Sequence, residues 1–537
     1  MKKGKLYILL SLLSITLAGC GEPTENTDNP VITPTPNPIV DPTPDPDPPV
    51  ETKVEKKKLA YTYRDVNANY YKASNTIPNE GEPNLLILPI YFNDSSSFIP
   101  EDKKSVVKSD IEKAFFGSKE EVGFESVASY YTTLSQGKCN LKGTVSDWIE
   151  IEESYINYAF TDRSTLTLVK EATTSYFLLT GDDRNKYDLD KNGYLDGVIL
   201  IYAAPDSDNI AEQGSSYSNL WAYTNWLDEK PNVDNPCPCN FFWASYDFLY
   251  SPAKANSILG NSYGGGDDGN EKLLIDTHVY IHEIGHMFGL QDYYDYSYQF
   301  SPAGGYSMQD YNVGSHDPFS VMSLGWCNPY IPTKSCTITL NKFQSSRDCI
   351  ILSNSWNAID SPFDEYLVVE FYSPDGLNQF DHDTAYFSNH KKKKRPTGPD
   401  ECGIRLWHVD ARLLASPHLR DPGKITVDPN ADGKVMHAMS NTYSHKDYGK
   451  SYVSVLGSSY ANFNILQLIR NEETETYQSH NTFDKYSLFK DGSKFSMNSF
   501  GRQFVNKARL NSNKVLGWTF TVSIKDDQAE ITLTRTI

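Results

Sequence analysis

The chain has few basic residues and few long apolar runs. Its 537 residues include 49 Lys and Arg against 69 Asp and Glu, a formal net charge of -20. This balance argues against general nucleic-acid binding, and we expect no nucleic-acid partner. After residue 17, no segment approaches the length and apolarity of a transmembrane helix. The sequence has no internal repeat, and its length suffices for two or three folded domains.

Cysteine is also scarce, with 8 in the chain. Cys20 belongs to an N-terminal signal considered next, which leaves seven others. An odd number excludes complete pairing within the chain, and the spacing defines no disulfide framework. The seven are Cys139, Cys237, Cys239, Cys327, Cys336, Cys349 and Cys402.

The N-terminus has the parts of a bacterial lipoprotein signal. Residues 1–5 are basic, and residues 6–17 form an apolar run too short to span a membrane comfortably. Leu17-Ala18-Gly19-Cys20 then resembles the lipobox, whose cysteine carries lipid as the first mature residue. We predict a signal peptide over 1–19 and a lipid anchor on Cys20, which places the protein in the bacterial cell envelope, facing outward at the cell surface or in the periplasm. The alternative is an ordinary secretory signal.

Composition and periodicity then divide the rest of the chain. Residues 20–58 are rich in Pro, Thr, Asp and Asn, which predicts an extended tether of roughly 100 Å. Residues 59–335 alternate strand-like and helix-like segments, and residues 336–537 contain short alternating runs separated by turn residues. We expect an α+β fold with a β-rich, sandwich-like C-terminal domain. The strands are predicted over 84–92, 197–204, 337–340, 365–371, 403–409, 518–524 and 529–534, the helices over 104–116 and 126–134, and a loop over 260–269.

Residues 282–292 read HExxHxxGxxD and carry most of the functional information. Histidines four apart share one helix face, so His282 and His286 can reach one metal ion. Glu283 is placed to act as a general base on water. Gly289 can end the helix in a left-handed conformation, and Asp292 can return as a third ligand. Three protein ligands and a water are typical of a catalytic zinc site.

A second metal-like pattern lies at residues 188–196. Short oxygen side chains alternate around a glycine, as in a calcium loop, and the carbonyl of the seventh position also contributes. Position twelve is Ile199, so the usual closing glutamate is missing. The alternative is a turn rich in Asp and Asn. The predicted calcium ligands are Asp188, Asp190, Asn192, Tyr194 and Asp196.

The motif HEIGHMFGLQDYYD resembles that of the immune-inhibitor-A type of secreted bacterial metallopeptidase. Further segments resemble the family's in the same order, so the likeness covers about residues 84–410 and is far more specific than HExxH alone. These segments are Ser129-Tyr130-Tyr131, Ser135-Gln136-Gly137-Lys138, Gly143-Thr144-Val145, 188–197, Leu324-Gly325-Trp326, 365–370 and 403–410. One departure is Gln291, where the family often has proline.

The resemblance implies a metzincin-like catalytic domain over 59–335, with a methionine turn beneath the metal. Met308 is the candidate for that turn. Tyr311 or Tyr306, close to the methionine, could donate to the oxyanion. Asp295 competes with Asp292 as third ligand.

We therefore expect a monomeric zinc endopeptidase that cleaves extracellular proteins or peptides. The alternative is a non-catalytic surface protein, an adhesin or binding module on a peptidase scaffold. The intact Glu283 argues against that alternative. A zinc hydrolase of envelope glycans or peptidoglycan peptides ranks last, because no sugar-binding site is evident.

Overall fold

The computed structural model describes residues 53–70, 75–207, 219–260, 275–295, 300–384, 395–415, 425–426, 434–436 and 463–537. The predicted signal peptide, Cys20 and most of the tether lie outside these residues, as does nearly all of the loop predicted over 260–269. Residues Pro49–Ile537 belong to one structural unit. No helix within the described part of the chain is long and apolar enough to cross a membrane.

The fold mixes helices with several sheets. The helices are α1 Tyr63–Tyr70, α2 Lys104–Phe116, α3 Lys119–Val122, α4 Val127–Leu134, α5 Asp162–Thr180, α6 Pro252–Leu259, α7 His278–Met287, α8 Met308–Tyr311, α9 Pro318–Ser323, α10 Phe343–Ser346 and α11 Gln379–Asp383. The N-terminal strands are β1 Asn84–Phe92, β2 Lys142–Val145, β3 Ile149–Ile151, β4 Val198–Tyr202, β5 Tyr223–Trp226 and β6 Asn240–Ser245. The later strands are β7 Cys336–Asn341, β8 Cys349–Leu352, β9 Glu365–Tyr372, β10 Gly403–Asp410, β11 Leu413–Ala415, β12 Ile425–Thr426, β13 Lys434–Met436, β14 Leu466–Ile469, β15 Lys494–Ser496, β16 Trp518–Lys525 and β17 Gln528–Arg535.

The N-terminal sheet is parallel except at one edge. Its order is β2-β1-β4-β6-β5, with β3 also paired to β1. Strands β1 and β4 are nearly continuous apolar runs and are buried along their length, as central parallel strands usually are. Strand β5 runs antiparallel to β6 and forms the edge next to helix α7.

The chain after residue 336 is built mainly of antiparallel sheet. One four-stranded sheet has the order β14-β10-β9-β8, another has the order β15-β16-β17-β7, and a three-stranded sheet has the order β12-β11-β13. In β17 buried and exposed residues alternate, because one face packs on a core and the other faces solvent.

The largest hydrophobic core joins the N-terminal sheet to the later strands. It contains Ile87 of β1, Tyr280 of α7 and Val368 and Trp407 of β9 and β10. A second core lies between the two C-terminal four-stranded sheets, and a third covers the other face of the N-terminal sheet. Residues on both sides of position 336 therefore share one packed interior.

The predicted strands and helices are confirmed, with small shifts at their ends. The helix predicted over 126–134 begins at Val127, because Ser126 is its N-cap and accepts from the Ser129 amide. The strand predicted over 197–204 is confined to Val198–Tyr202. The expected mixture of helices and sheets, with strands dominating after residue 336, is also confirmed.

Candidate metal centre

The motif forms the buried helix α7, which ends at Met287. Its apolar residues Tyr280, Ile281 and Ile284 are fully buried in the main core. Gly289 has a φ of 104°, a conformation that favours glycine, and the chain turns back there toward the helix. The predicted helix end and turn are therefore both present.

Three ligand atoms meet after this turn. The Nε2 atoms of His282 and His286 are 3.0 Å apart, and Asp292 Oδ1 is 3.1 Å from each. Zinc bonded to nitrogen and oxygen at about 2.0–2.1 Å in tetrahedral geometry separates its ligands by about 3.3 Å. The triangle is thus close to the size that one metal ion requires. His282, His286 and Asp292 form a group that could hold a metal ion, and Asp295 is not part of it.

A hydrogen bond at Nδ1 of each imidazole determines which ring nitrogen carries the proton. His282 Nδ1 lies 2.8 Å from the Met308 carbonyl oxygen, and His286 Nδ1 lies 2.8 Å from that of Leu290. A carbonyl can only accept, so each Nδ1 carries a proton and donates it. An imidazole that carries only this proton can direct the lone pair of its Nε2 at the shared centre, as metal-binding histidines do.

The charges in this group respond to one another. Burial lowers the pKa of His286, but the Asp292 carboxylate more than offsets this and raises it to about 9. Burial raises the pKa of Asp292, yet the two histidines hold it well below its ordinary value. A proton on His286 therefore balances the Asp292 charge, and a bound metal would displace that proton.

Glu283 is buried beside the ligands. Its carboxylate Oε2 is 3.0 Å from the hydroxyl of Thr224 on strand β5. Burial raises the pKa of Glu283, while electrostatic interaction with the His286 and His282 imidazoles lowers it in part. A buried carboxylate with a raised pKa is suited to accept and return a proton.

The predicted methionine turn lies under the helix. Met308 is fully buried, and its carbonyl is the one that orients His282. The next side chain, Gln309, packs so closely on Gly285 that a Cβ there would overlap with the Gln309 amide oxygen. That oxygen also lies 3.1 Å from His316 Nε2. Sequence reasoning did not find Gln309 or His316, because only packing brings them beneath the motif.

Residues of the C-terminal part donate hydrogen bonds to the segment before Met308. The Leu468 amide donates to the Pro302 carbonyl at 2.9 Å, and the Phe483 amide donates to Gly304 at 2.6 Å. Arg405 donates to the Tyr306 carbonyl at 3.3 Å. The floor of the metal group is therefore fixed by residues distant in sequence.

The candidate oxyanion donors differ in their surroundings. Tyr306 is buried and packs on Phe483, and its hydroxyl donates a hydrogen bond to the Asn378 carbonyl. Its side chain is therefore part of the core. Tyr311 is partly buried, and its backbone carbonyl accepts from Arg395. Tyr294, which sequence reasoning missed, has its ring 6.5 Å from that of His282.

The acidic loop brings Asp188, Asp190 and Asp196 together as a second group that could hold a metal ion. Their oxygens already accept hydrogen bonds. Asp188 accepts from the amides of Asn192 at 3.0 Å and Gly193 at 2.9 Å. Asp196 accepts from Leu189 and Asn84, and the Asn192 side chain accepts from Tyr194.

Charge in this loop is only partly balanced. Arg64 forms an ion pair with Asp190. Burial is the main reason that the pKa of Asp196 rises to about 7, and the charges of Asp190 and Asp188 raise it further. Burial also raises the pKa of Asp188. The loop therefore has the arrangement of a cation site and also the internal hydrogen bonds of a stable turn.

No protein-family model matches this chain, and no curated protein matches it either.

Proposed function

We propose that this protein is a zinc-dependent endopeptidase of the immune-inhibitor-A type, with a metzincin-like catalytic domain. The observation that carries the proposal is the convergence of His282 Nε2, His286 Nε2 and Asp292 Oδ1 within 3.0–3.1 Å of one another, next to a buried Glu283. The turn after Gly289 and the Met308 carbonyl beneath His282 support it.

The donor set fits zinc, since two imidazole nitrogens and one carboxylate oxygen leave a fourth position for water. His282, His286 and Asp292 would hold the metal, which would supply Lewis-acid chemistry by polarising a peptide carbonyl and lowering the pKa of water. Glu283 accepts the proton of that water and passes it to the leaving amine. Tyr311 is the proposed donor to the oxyanion, because Tyr306 is held in the core.

Strand β5 supports a peptide as the substrate. Among the described residues it pairs with β6 alone, and Thr224 at its centre contacts Glu283. An extended peptide can add to such an edge through main-chain hydrogen bonds. Extracellular proteins with flexible segments are the proposed substrates.

The test is metal content together with cleavage of casein by the purified full chain. We expect about one zinc per chain, and we expect a chelator to remove zinc and activity together. A chain that binds zinc but leaves casein and other unfolded proteins intact would favour the non-catalytic binding protein instead.

We further propose that calcium binds the loop with Asp188, Asp190, Asn192, Tyr194 and Asp196 and stabilises the fold. We also propose that lipid on Cys20 anchors a monomeric enzyme to the bacterial envelope. The Cys20→Ser variant should leave the membrane fraction or fail to mature. Membrane attachment of that variant equal to wild type would contradict the anchor.

A further inference from the structure

We propose that Thr224 is a positioning residue, whose hydroxyl holds the Glu283 carboxylate in the orientation needed for proton transfer. This inference rests on the proposed function, because it assigns Thr224 a part in the same reaction. It also connects the edge strand β5 to the general base, so the element that would receive substrate also orients the base.

The contact has two possible acceptors. Thr224 Oγ1 is 3.0 Å from Glu283 Oε2 and also 3.0 Å from the Glu283 carbonyl oxygen. A hydroxyl has one proton to donate. The carboxylate carries charge and is the stronger acceptor, so the proton is directed to Oε2.

The carboxylate has little other support. Among the described residues, Thr224 has the only side chain that hydrogen bonds to it. Glu283 is only 5% exposed, so little bulk water can hold its position. A glutamate side chain has three rotatable bonds, and a base that is misplaced by about 1 Å can cost a hundredfold in rate. A single donor in this place therefore has a large effect on orientation.

Thr224 itself is held firmly. It pairs with Phe242 on β6, and strand alternation turns Thr224 and Trp226 to the face of helix α7. The Trp226 indole donates to the Asn75 carbonyl at 2.7 Å, and the helix is tied to the end of β6 by Tyr280, whose hydroxyl donates to the Ser245 carbonyl. The donor and the helix that carries the base are thus parts of one framework.

A purely structural role would have a different signature. If Thr224 only joined strand to helix, its loss would lower stability and zinc content along with activity. Thr224→Val keeps the shape and removes the donor, whereas Thr224→Ser keeps the donor and removes a methyl group. These two variants separate packing from orientation.

The experiment uses the full chain loaded with zinc and fluorescein-labelled casein as substrate. We expect Thr224→Val to lower kcat by about tenfold to a hundredfold, with KM, zinc stoichiometry and Tm unchanged. Thr224→Ser should recover most of that loss. The matched control is Thr174→Val on helix α5, where an exposed threonine donates to the Lys170 carbonyl far along the chain from the motif.

Three results would overturn the inference while the proposed function stands. They are equal kcat for Thr224→Val and wild type, an equal defect in the Ser and Val variants, or a parallel loss of zinc and activity. Failure of the proposed function looks different, because wild type itself would then be inactive. Crystal structures of zinc-loaded wild type and Thr224→Val decide the matter in that case. In the variant, the Glu283 carboxylate should shift or adopt more than one conformation. A carboxylate in the same single position as in wild type would refute the role of Thr224.

Discussion

Two groups of side chains in the described residues could hold a metal ion: the motif group of His282, His286 and Asp292, and the acidic loop with Asp188, Asp190 and Asp196. Their hydrogen bonds are arranged differently. In the motif group, hydrogen bonds to Met308 and Leu290 engage the far nitrogens of the imidazoles and leave the ligand atoms directed at one point. In the acidic loop, backbone amides donate to the same carboxylates that would bind a cation. The hydrogen bonds of the motif group orient its ligand atoms toward a common centre. Those of the acidic loop stabilise a turn, which a bound cation would stabilise further.

This difference predicts that the motif group and the acidic loop bind metal ions with different affinities. It also predicts that removing the metal has different consequences at the two sites. The motif group places two imidazole nitrogens and a carboxylate around one centre, so a proton or a metal there can balance the carboxylate charge. The loop already has Arg64 and several amides as partners. Zinc should therefore decide activity, whereas calcium should adjust stability. The following changes test that contrast, beginning with the largest effect.

Glu283→Gln should reduce casein cleavage by about a hundredfold to ten-thousandfold, because it removes the base and keeps its shape. Zinc content should stay near one per chain, since Glu283 is not a ligand. Activity assays and metal analysis on the same sample measure both. Near-normal cleavage by the variant would contradict the assignment of Glu283.

Asp292→Ala should lower zinc affinity by about a hundredfold or more, because it removes one of three ligands and leaves His286 without its counter-charge. Asp295→Ala is the control, since Asp295 lies next in the same segment but outside the ligand group. Competition with a chelator gives both affinities. Equal zinc loss in the two variants would show that the effect comes from the segment and not from the ligand.

Zinc affinity should depend on pH. In the metal-free protein the pKa of His286 is raised to about 9, so below that pH zinc binding must release a proton. Apparent affinity should fall by about tenfold for each pH unit below 9, as long as one proton is displaced. Titrations at pH 7, 8 and 9 measure the slope. A flat profile would mean that the metal-free group carries no such proton.

Calcium should raise Tm by a few degrees, because a ligand that binds only the folded state stabilises it. Asp190→Ala should abolish the rise. Arg64→Gln should enlarge it, since the ion pair with Asp190 competes with the cation. Asp400→Ala, at an exposed position in the later part of the chain, is the control. No calcium response in any of these proteins would leave the loop as a plain turn.

Loop stability should also fall as pH rises when calcium is absent. The folded-state pKa of Asp196 is raised to about 7, above its unfolded value, so its contribution is present at low pH and lost as pH rises through 7. Thermal unfolding in chelator at pH 5.5 and pH 8 should show this loss. Asp196→Asn should reduce it, because the amide does not titrate. An unchanged difference in the variant would assign the effect to other groups.

Local patterns predicted that His282, His286 and Asp292 come together. Helical spacing placed His282 and His286 on one face, and Gly289 allowed the turn that returns Asp292. The apolar runs predicted over 84–92 and 197–204 contain central parallel strands, since burial on both faces demands a continuous apolar pattern. The alternating oxygen side chains of the acidic loop also predicted that Asp188, Asp190 and Asp196 come together.

The supporting residues could not be predicted in this way. Thr224, Gln309 and Arg64 lie far from the atoms they contact along the chain, and a single threonine or arginine has no periodicity to reveal it. For Tyr306, the position in the sequence suggested a role that its packing does not support. Its place near Met308 in sequence favoured a role in catalysis, whereas packing with Phe483 and the bond to Asn378 hold it in the core.

The hydrogen bonds from Leu468 and Phe483 to the segment before Met308 give the candidate metal centre an order of assembly. Synthesis delivers the ligands His282, His286 and Asp292 long before the strands that fix the floor beneath them. A nascent chain therefore carries every ligand atom while the carbonyl that orients His282 still lacks its support. For the proposed endopeptidase, the ability to cleave would therefore arise only after residue 483 has emerged, and this timing would limit premature proteolysis.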